Sequence, residues 1–271
     1  RWIPQKGKII ANYDYPLIRE VLNKFDNVVF YSQKQFEEEQ NHHKIYSLRY
    51  NKKDLYLPLG KIQPKIFGSQ NFLNILSTFL LARELNIDFD TFSKAVEEFP
   101  GVLRRQQLRK KILFHDTEIE FYEDFAHHPT AIKETIKSFK ETFPEAFLIS
   151  CYEPRSATSH RNVFQNDYPK AFLNSDAIYI TEIYNPNKVA KEIQLNVNQI
   201  IQDIRNWNPK AYYCKNPNEL FTKLKDHFRD YLALSRKKQY NKIIILCMSN
   251  GDFGNIYTSI EKWMEELEQQ S

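Results

Sequence analysis

Glu123-Asp124-Phe125-Ala126-His127-His128-Pro129-Thr130-Ala131 joins an alternating apolar segment to a helical one. Upstream, Ile112, Phe114, Ile119, Phe121 and Phe125 alternate around a turn at His115-Asp116-Thr117, which predicts a pair of strands. Downstream, Pro129 suits a first helical position, and Ile132, Ile136 and Phe139 recur at helical spacing. Two acids and two imidazoles thus stand at the carboxyl end of a strand, where open α/β sheets bind ligands. Taken alone, these residues favour a plain helix start, with Asp124 as a local hydrogen-bond acceptor and the histidines solvated. A metal pair is disfavoured, because adjacent histidines in extended chain point to opposite sides and no H-x-x-x-H spacing occurs.

Two further segments have the same design. Ala146-Phe147-Leu148-Ile149-Ser150-Cys151-Tyr152 reads as an apolar strand ending in Glu153-Pro154-Arg155-Ser156-Ala157-Thr158. Pro154 ends the strand, and Arg155 offers a planar guanidinium suited to a carboxylate or phosphate. Ile243-Ile244-Ile245-Leu246-Cys247-Met248 is a buried-type strand followed by Ser249-Asn250-Gly251-Asp252-Phe253-Gly254. There Gly251 and Gly254 permit turns and a close approach. A parallel sheet would bring all three polar clusters to one rim.

From about Gln106 onward, strands are expected near 146–152, 176–182, 210–214 and 242–248. Helices are expected near 129–142, 162–174, 195–206, 216–233 and 255–268. Repeated βα units with apolar strands imply a mainly parallel sheet covered on both faces. Before Pro100-Gly101, a β-α-β pattern covers Lys8 to Tyr31, and short alternating strands cover roughly 44–67. A helix then starts near Gly68, and another runs Phe92 to Phe99 with Asp90 as its cap. The expected division is 1–103 and 104–271.

The chain has 271 residues, 42% of them hydrophobic, enough for two cores. No apolar run approaches the ~18 residues of a membrane span, and Arg1-Trp2-Ile3-Pro4 does not resemble a signal peptide. The absence of a starting methionine reads as an excised or processed piece. The three cysteines, Cys151, Cys214 and Cys247, are scattered, and two lie in apolar strands. Buried thiols in a reducing cytoplasm account for them. A net charge of +4 is spread along the chain. Runs such as Lys52-Lys53-Asp54 and Arg236-Lys237-Lys238 read as solvated surface, so neither nucleic acid nor membrane is an expected partner. The six glycines form neither G-x-x-x-x-G-K-[ST] nor G-x-G-x-x-G.

The segments EDFAHHPTAI, EPRSATS and MSNGDFG resemble the carboxyl-terminal domain of the Mur ligases, ATP-dependent amide ligases of bacterial cell-wall synthesis. The resemblance implies a Rossmann-like, mainly parallel α/β domain preceded by the latter part of an α/β P-loop-type central domain. It also implies an enzyme using ATP and Mg2+, with the metal ligands outside these residues. The expected substrates are UDP-N-acetylmuramate and the tripeptide L-alanyl-γ-D-glutamyl-meso-diaminopimelate, joined through an acyl phosphate during peptidoglycan recycling. The alternatives are L-alanine as acceptor, or a noncatalytic nucleotide- or peptide-binding module. Without a P-loop, these residues alone are expected not to ligate.

Roles follow from the resemblance residue by residue. Gly68, Gln70, Asn71 and Asn74 match a G-x-H-N-x-x-N helix start, with Gln70 in place of the histidine. Asn71 and Asn74 would face adenine, since an amide carries both donor and acceptor; capping by Asn71 is the plainer reading. Gly101-Val102-Leu103-Arg104-Arg105 resembles the interdomain G-V-x-R-R hinge, and Arg105 would reach the ATP phosphates. Asp124 would accept from the ribose hydroxyls. His128 is expected to contact substrate or phosphate, with His127 beside it. Arg155 and Ser156 would receive the incoming amino compound, and Ser249 and Asn250 its carboxylate. Asp252 replaces a glycine common among tripeptide-joining members of the family.

Overall fold

The computed structural model describes residues 7–36, 39–40, 42–236 and 240–270. Arg1-Trp2-Ile3-Pro4 and the Lys237-Lys238 part of the basic run lie outside the described residues. The chain divides into two compact units, Arg1–Pro100 and Gly101–Ser271.

The first unit runs β1 (Ile9–Asn12), α1 (Pro16–Leu22), β2 (Val28–Ser32), β3 (Glu39–Gln40) and β4 (His43–Ser47). These strands form one sheet in the order β1-β2-β4-β3, parallel except for β3. Strands β5 (Arg49–Asn51), β6 (Asp54–Leu57) and β7 (Gly60–Ile62) make a separate antiparallel meander. Helix α2 (Ser69–Glu84) buries Phe72, Leu76 and Phe79, and α3 (Phe89–Glu98) buries Phe92. Burial of each such side chain contributes about 1.5–3 kcal/mol.

Two sequence expectations are corrected in this unit. The cap of α3 is Asp88, whose carboxylate accepts from the Thr91 amide at 2.9 Å. Asp90 lies two residues further in, within the first turn, where an acid still favours the positive end of the helix dipole. At α2 the cap position belongs to Gly68, with φ 88°. Asn71 instead donates its side-chain amide back to the Phe67 carbonyl at 2.8 Å.

The second unit opens with β8 (Gln107–Phe114) and β9 (Thr117–Asp124). His115 and Asp116 join them with φ of 44° and 65°, the two left-handed residues that a tight hairpin of this twist demands. There follow α4 (Pro129–Thr142), β10 (Ala146–Tyr152), α5 (Tyr168–Ala171), β11 (Ala177–Thr181), α6 (Val197–Arg205) and β12 (Ala211–Cys214). Helix α7 (Pro217–Arg236), β13 (Lys242–Met248) and α8 (Ile256–Gln269) complete it. The sheet order is β12-β11-β10-β13-β9-β8. Its strands are parallel except for β8, which runs against β9. Every residue of β10 and β11 is buried, as expected for strands covered by helices on both faces.

The helix expected over 162–174 is broken into a single 3-10 turn, Asn162–Phe164, and the short α5. Pro169 is the reason: it has no N–H for the Gln165 carbonyl and its ring would clash there, so the helix restarts with Pro169 in its first turn. The three cysteines are unpaired and buried. Burial pushes the Cys214 thiol up to about 12 and raises Cys151 as well, which leaves both unreactive. Among the described residues no helix is long and apolar enough to cross a membrane.

Candidate functional site

The register of the second unit sets three loops level with one another. Asp124 at the end of β9 pairs with Met248 at the end of β13, and Met248 with Tyr152 at the end of β10. The chain leaving each strand is stitched to its neighbour. The Ser249 amide donates to the Asp124 carbonyl and the Glu153 amide to the Met248 carbonyl, both at 3.1 Å. The Ser249 hydroxyl donates to Glu153 Oε2 at 2.9 Å and accepts from the Gly251 amide at 3.1 Å. The clusters carrying Asp124, Arg155 and Ser249 therefore occupy one rim.

Arg155 is the centre of that rim. Its guanidinium lies 4.0 Å over the Tyr184 ring, forms an ion pair with Asp252, and stands 3.6 Å from Glu153. Gly251 lies against it, and a Cβ at that position would run into the Arg155 side chain. The absent side chain of Gly251 thus makes room for a residue of the same protein. Burial raises the Glu153 pKa, against the lowering pull of Ser249 and Arg155. The hydrogen bond from Arg155 lowers that of Asp252. Ser156, one residue on, has its hydroxyl engaged with Ser159, accepting from the Ser159 amide at 3.0 Å. Asn250 Oδ1 is buried without a hydrogen-bond partner, leaving a site where a bound donor would remove a cost.

Asp124 is only 2% exposed. Its two oxygens accept from the backbone amides of Gln106 at 2.8 Å and Ala126 at 2.7 Å. Burial raises its pKa, opposed by these two hydrogen bonds and by the charge of Arg105. This geometry fixes the loop and ties the start of β8 to the end of β9. Arg105 is exposed, its guanidinium 5.3 Å from the centre of the Phe125 ring.

The histidines divide their work. His127 has its Nδ1 2.9 Å from the Phe125 carbonyl, and its own carbonyl accepts from the hydroxyls of Tyr152 and Tyr168. His128 is the N-cap of α4, its Nδ1 accepting from the Thr130 amide at 3.3 Å, with its ring edge-on to Phe164. As an acceptor at Nδ1, a neutral His128 carries its proton on Nε2, free to donate outward. Asn71 and Asn74 belong to the first unit, one turn apart on the same side of α2. Among the described residues no group of three or more His, Cys, Asp and Glu is arranged to hold a metal ion.

Sequence reasoning passed over the residues that hold this rim together. Arg104, not singled out beside Arg105, donates to Glu123 Oε1 at 2.7 Å and to the carbonyls of Ser249 and Gly251. Arg109 takes the other oxygen of Glu123 at 2.8 Å. The signal available was Glu123 itself, an acid on the same strand face as the apolar Ile119 and Phe121.

No family model matches the chain. The UDP-N-acetylmuramate–L-alanine ligase of Dictyoglomus turgidum is 30% identical over 191 residues, which are 68% of this chain and 39% of that protein. The chain thus spans about two-fifths of the length of this curated relative. The UDP-N-acetylmuramate–alanine ligase structure from Thermotoga maritima superposes with a TM-score of 0.62 at 19% identity, covering 94% of this chain and 56% of that one. A murein peptide ligase structure from Psychrobacter arcticus gives 0.57 at 19% identity, covering 99% and 52%. The mainly parallel α/β sheet matches the fold of the Mur ligase carboxyl-terminal domain. The chain belongs to the Mur ligase family.

Proposed function

We propose that this chain supplies the carboxyl-terminal domain, and the latter part of the central domain, of an ATP-dependent ligase that forms an amide on the carboxylate of UDP-N-acetylmuramate. The observation that carries this reading is the convergence of Arg155, Ser249 and Asn250 on one rim. A guanidinium there suits the acceptor's carboxylate, and the unpaired Asn250 Oδ1 suits a donor such as its amine. On the family resemblance, Asn71 and Asn74 face adenine, Arg105 the phosphates and Asp124 the ribose. Arg105 fits its role as an exposed guanidinium. Asp124 fits less directly, because both its oxygens already accept backbone hydrogen bonds.

In the reaction, an oxygen of the muramate carboxylate attacks the γ-phosphorus of ATP and ADP leaves, giving a mixed anhydride. The acceptor's amine then attacks the acyl carbon, loses a proton, and phosphate departs. The residues of this chain position the acceptor and offset its charge, without a protein nucleophile. Outward Nε2–H of a neutral His128 is the donor suited to a phosphate or acyl oxygen. Magnesium is assigned no ligand among these residues.

L-Alanine is the acceptor favoured by the curated relative, which is named for it. The tripeptide is the second reading, favoured by the Glu153-Pro154-Arg155-Ser156 and Met248-Ser249-Asn250-Gly251 sequences. Phosphate release by the full gene product, with UDP-N-acetylmuramate and ATP and either L-alanine or the tripeptide, separates them. Release with neither acceptor would overturn the proposal.

A further inference from the structure

Arg155 already holds a carboxylate, and it is one from this chain. Asp252 pairs with the guanidinium that the proposed function leaves to the acceptor, and the two partners are unequally held. The Arg155 side chain is 20% exposed and that of Asp252 is 72% exposed. Arg155 is pressed between the Tyr184 ring and Gly251 and lies near the buried Glu153, so these contacts hold it in place while Gly251 is a glycine. Asp252 sits at the surface, in the turn between Gly251 and Gly254, with one further hydrogen bond, accepted from the Gly254 amide at 3.3 Å. An arriving carboxylate therefore meets a fixed cation and a displaceable anion.

We propose that Asp252 is an internal stand-in for the acceptor's carboxylate, which competes for Arg155 and so sets acceptor affinity. This rests on the reading of Arg155 as the acceptor's anchor. With Asp252 in place, Arg155 remains oriented and its charge neutralised. On binding, the acceptor's carboxylate takes over the pairing and Asp252 turns to solvent, where its hydration replaces the lost contact. The exchange trades one carboxylate for another, so its net free energy is small. It penalises ligands that lack a carboxylate, because they cannot replace what they displace. It also makes Asp252 the specificity-determining residue of a loop in which Ser249 and Phe253 are buried.

Because an exposed ion pair contributes little, removing the competitor is expected to tighten carboxylate binding by about threefold to tenfold. The test titrates L-alanine and L-alaninamide into the whole chain and into its Asp252→Asn and Arg155→Ala variants, following the Arg155 side-chain Nε–H signal by NMR. Asp252→Asn keeps the shape of the turn and the acceptor for the Gly254 amide, so its fold is retained. The expected result is a shift with L-alanine alone, severalfold tighter in Asp252→Asn and absent in Arg155→Ala. Equal or weaker L-alanine binding in Asp252→Asn would overturn the competition while leaving Arg155 as the anchor. No carboxylate binding at Arg155 in either the native chain or Asp252→Asn would overturn both the competition and the anchor on which it rests.

Discussion

Arg104 and Glu123 are joined at 2.7 Å although 19 residues separate them. From the same guanidinium, hydrogen bonds reach the backbone of Ser249 and Gly251. One side chain thus links the segment before β8, the end of β9 and the loop after β13. Glu123 is almost wholly buried and is shared with Arg109, so its charge is compensated from two sides.

Replacing Glu123 with glutamine leaves two arginines facing a neutral group in a half-buried setting. The expected loss is about 3 kcal/mol, the low end for breaking a buried ion pair by removing one partner. Urea unfolding followed by the fluorescence of Trp263, which packs edge-on against Phe228 in the same unit, measures it.

Gly251→Ala is expected to leave stability within about 1 kcal/mol, because Arg155 can swing out to escape the new methyl group. The cost falls on function: off the Tyr184 face, the guanidinium no longer meets a carboxylate. In the full gene product, KM for the acceptor rises about tenfold or more, the scale of a lost charge-assisted hydrogen bond, while KM for ATP holds. An unchanged acceptor KM would mean that Arg155 is not the anchor.

Glu153 makes stability depend on pH with a definite sign. Burial raises its pKa in the folded state above the ordinary 4.5, so the folded protein binds this proton more tightly than the unfolded chain. Its effect is absent below about pH 4.5, and stability then falls as pH rises through the folded-state value. Glu153→Gln, which can still accept from Ser249, removes that slope. The variant is expected to be more stable than the native chain at pH 7 and to lose the advantage below pH 4.5, as read from denaturation midpoints across that range.

Phe121 is fully buried in the middle of β9. Truncation to alanine is expected to cost about 3–5 kcal/mol through lost transfer free energy and a residual cavity. Thermal unfolding of the variant checks it, and a loss below 1 kcal/mol would mean that the helices over this face collapse to fill the gap.

The strands were legible because burial on both faces demands unbroken apolar runs, and β10 and β13 have little else. Helices α4, α6 and α8 announced themselves by spacing. The break before α5 was less legible, since a single proline outweighed an otherwise permissive stretch. At the rim, Arg155 and Ser249 stood out because each follows an apolar run. Arg104 and Gln106 did not, because their partners lie in other segments and nothing local distinguishes them from polar surface residues. The cap of α3 shows the same limit in miniature: Asp88 and Asp90 are equivalent as letters, and only the Thr91 amide chooses between them.

The level row of Asp124, Met248 and Tyr152 makes strand length itself a ruler. Deleting one residue from β9, β10 or β13 would retract one loop by about 3.3 Å and turn its side chains to the opposite face. The hydrophobic content would scarcely change, and the rim would be undone. Insertions and deletions in these three strands are therefore expected to be tolerated far less well than apolar exchanges at the same positions.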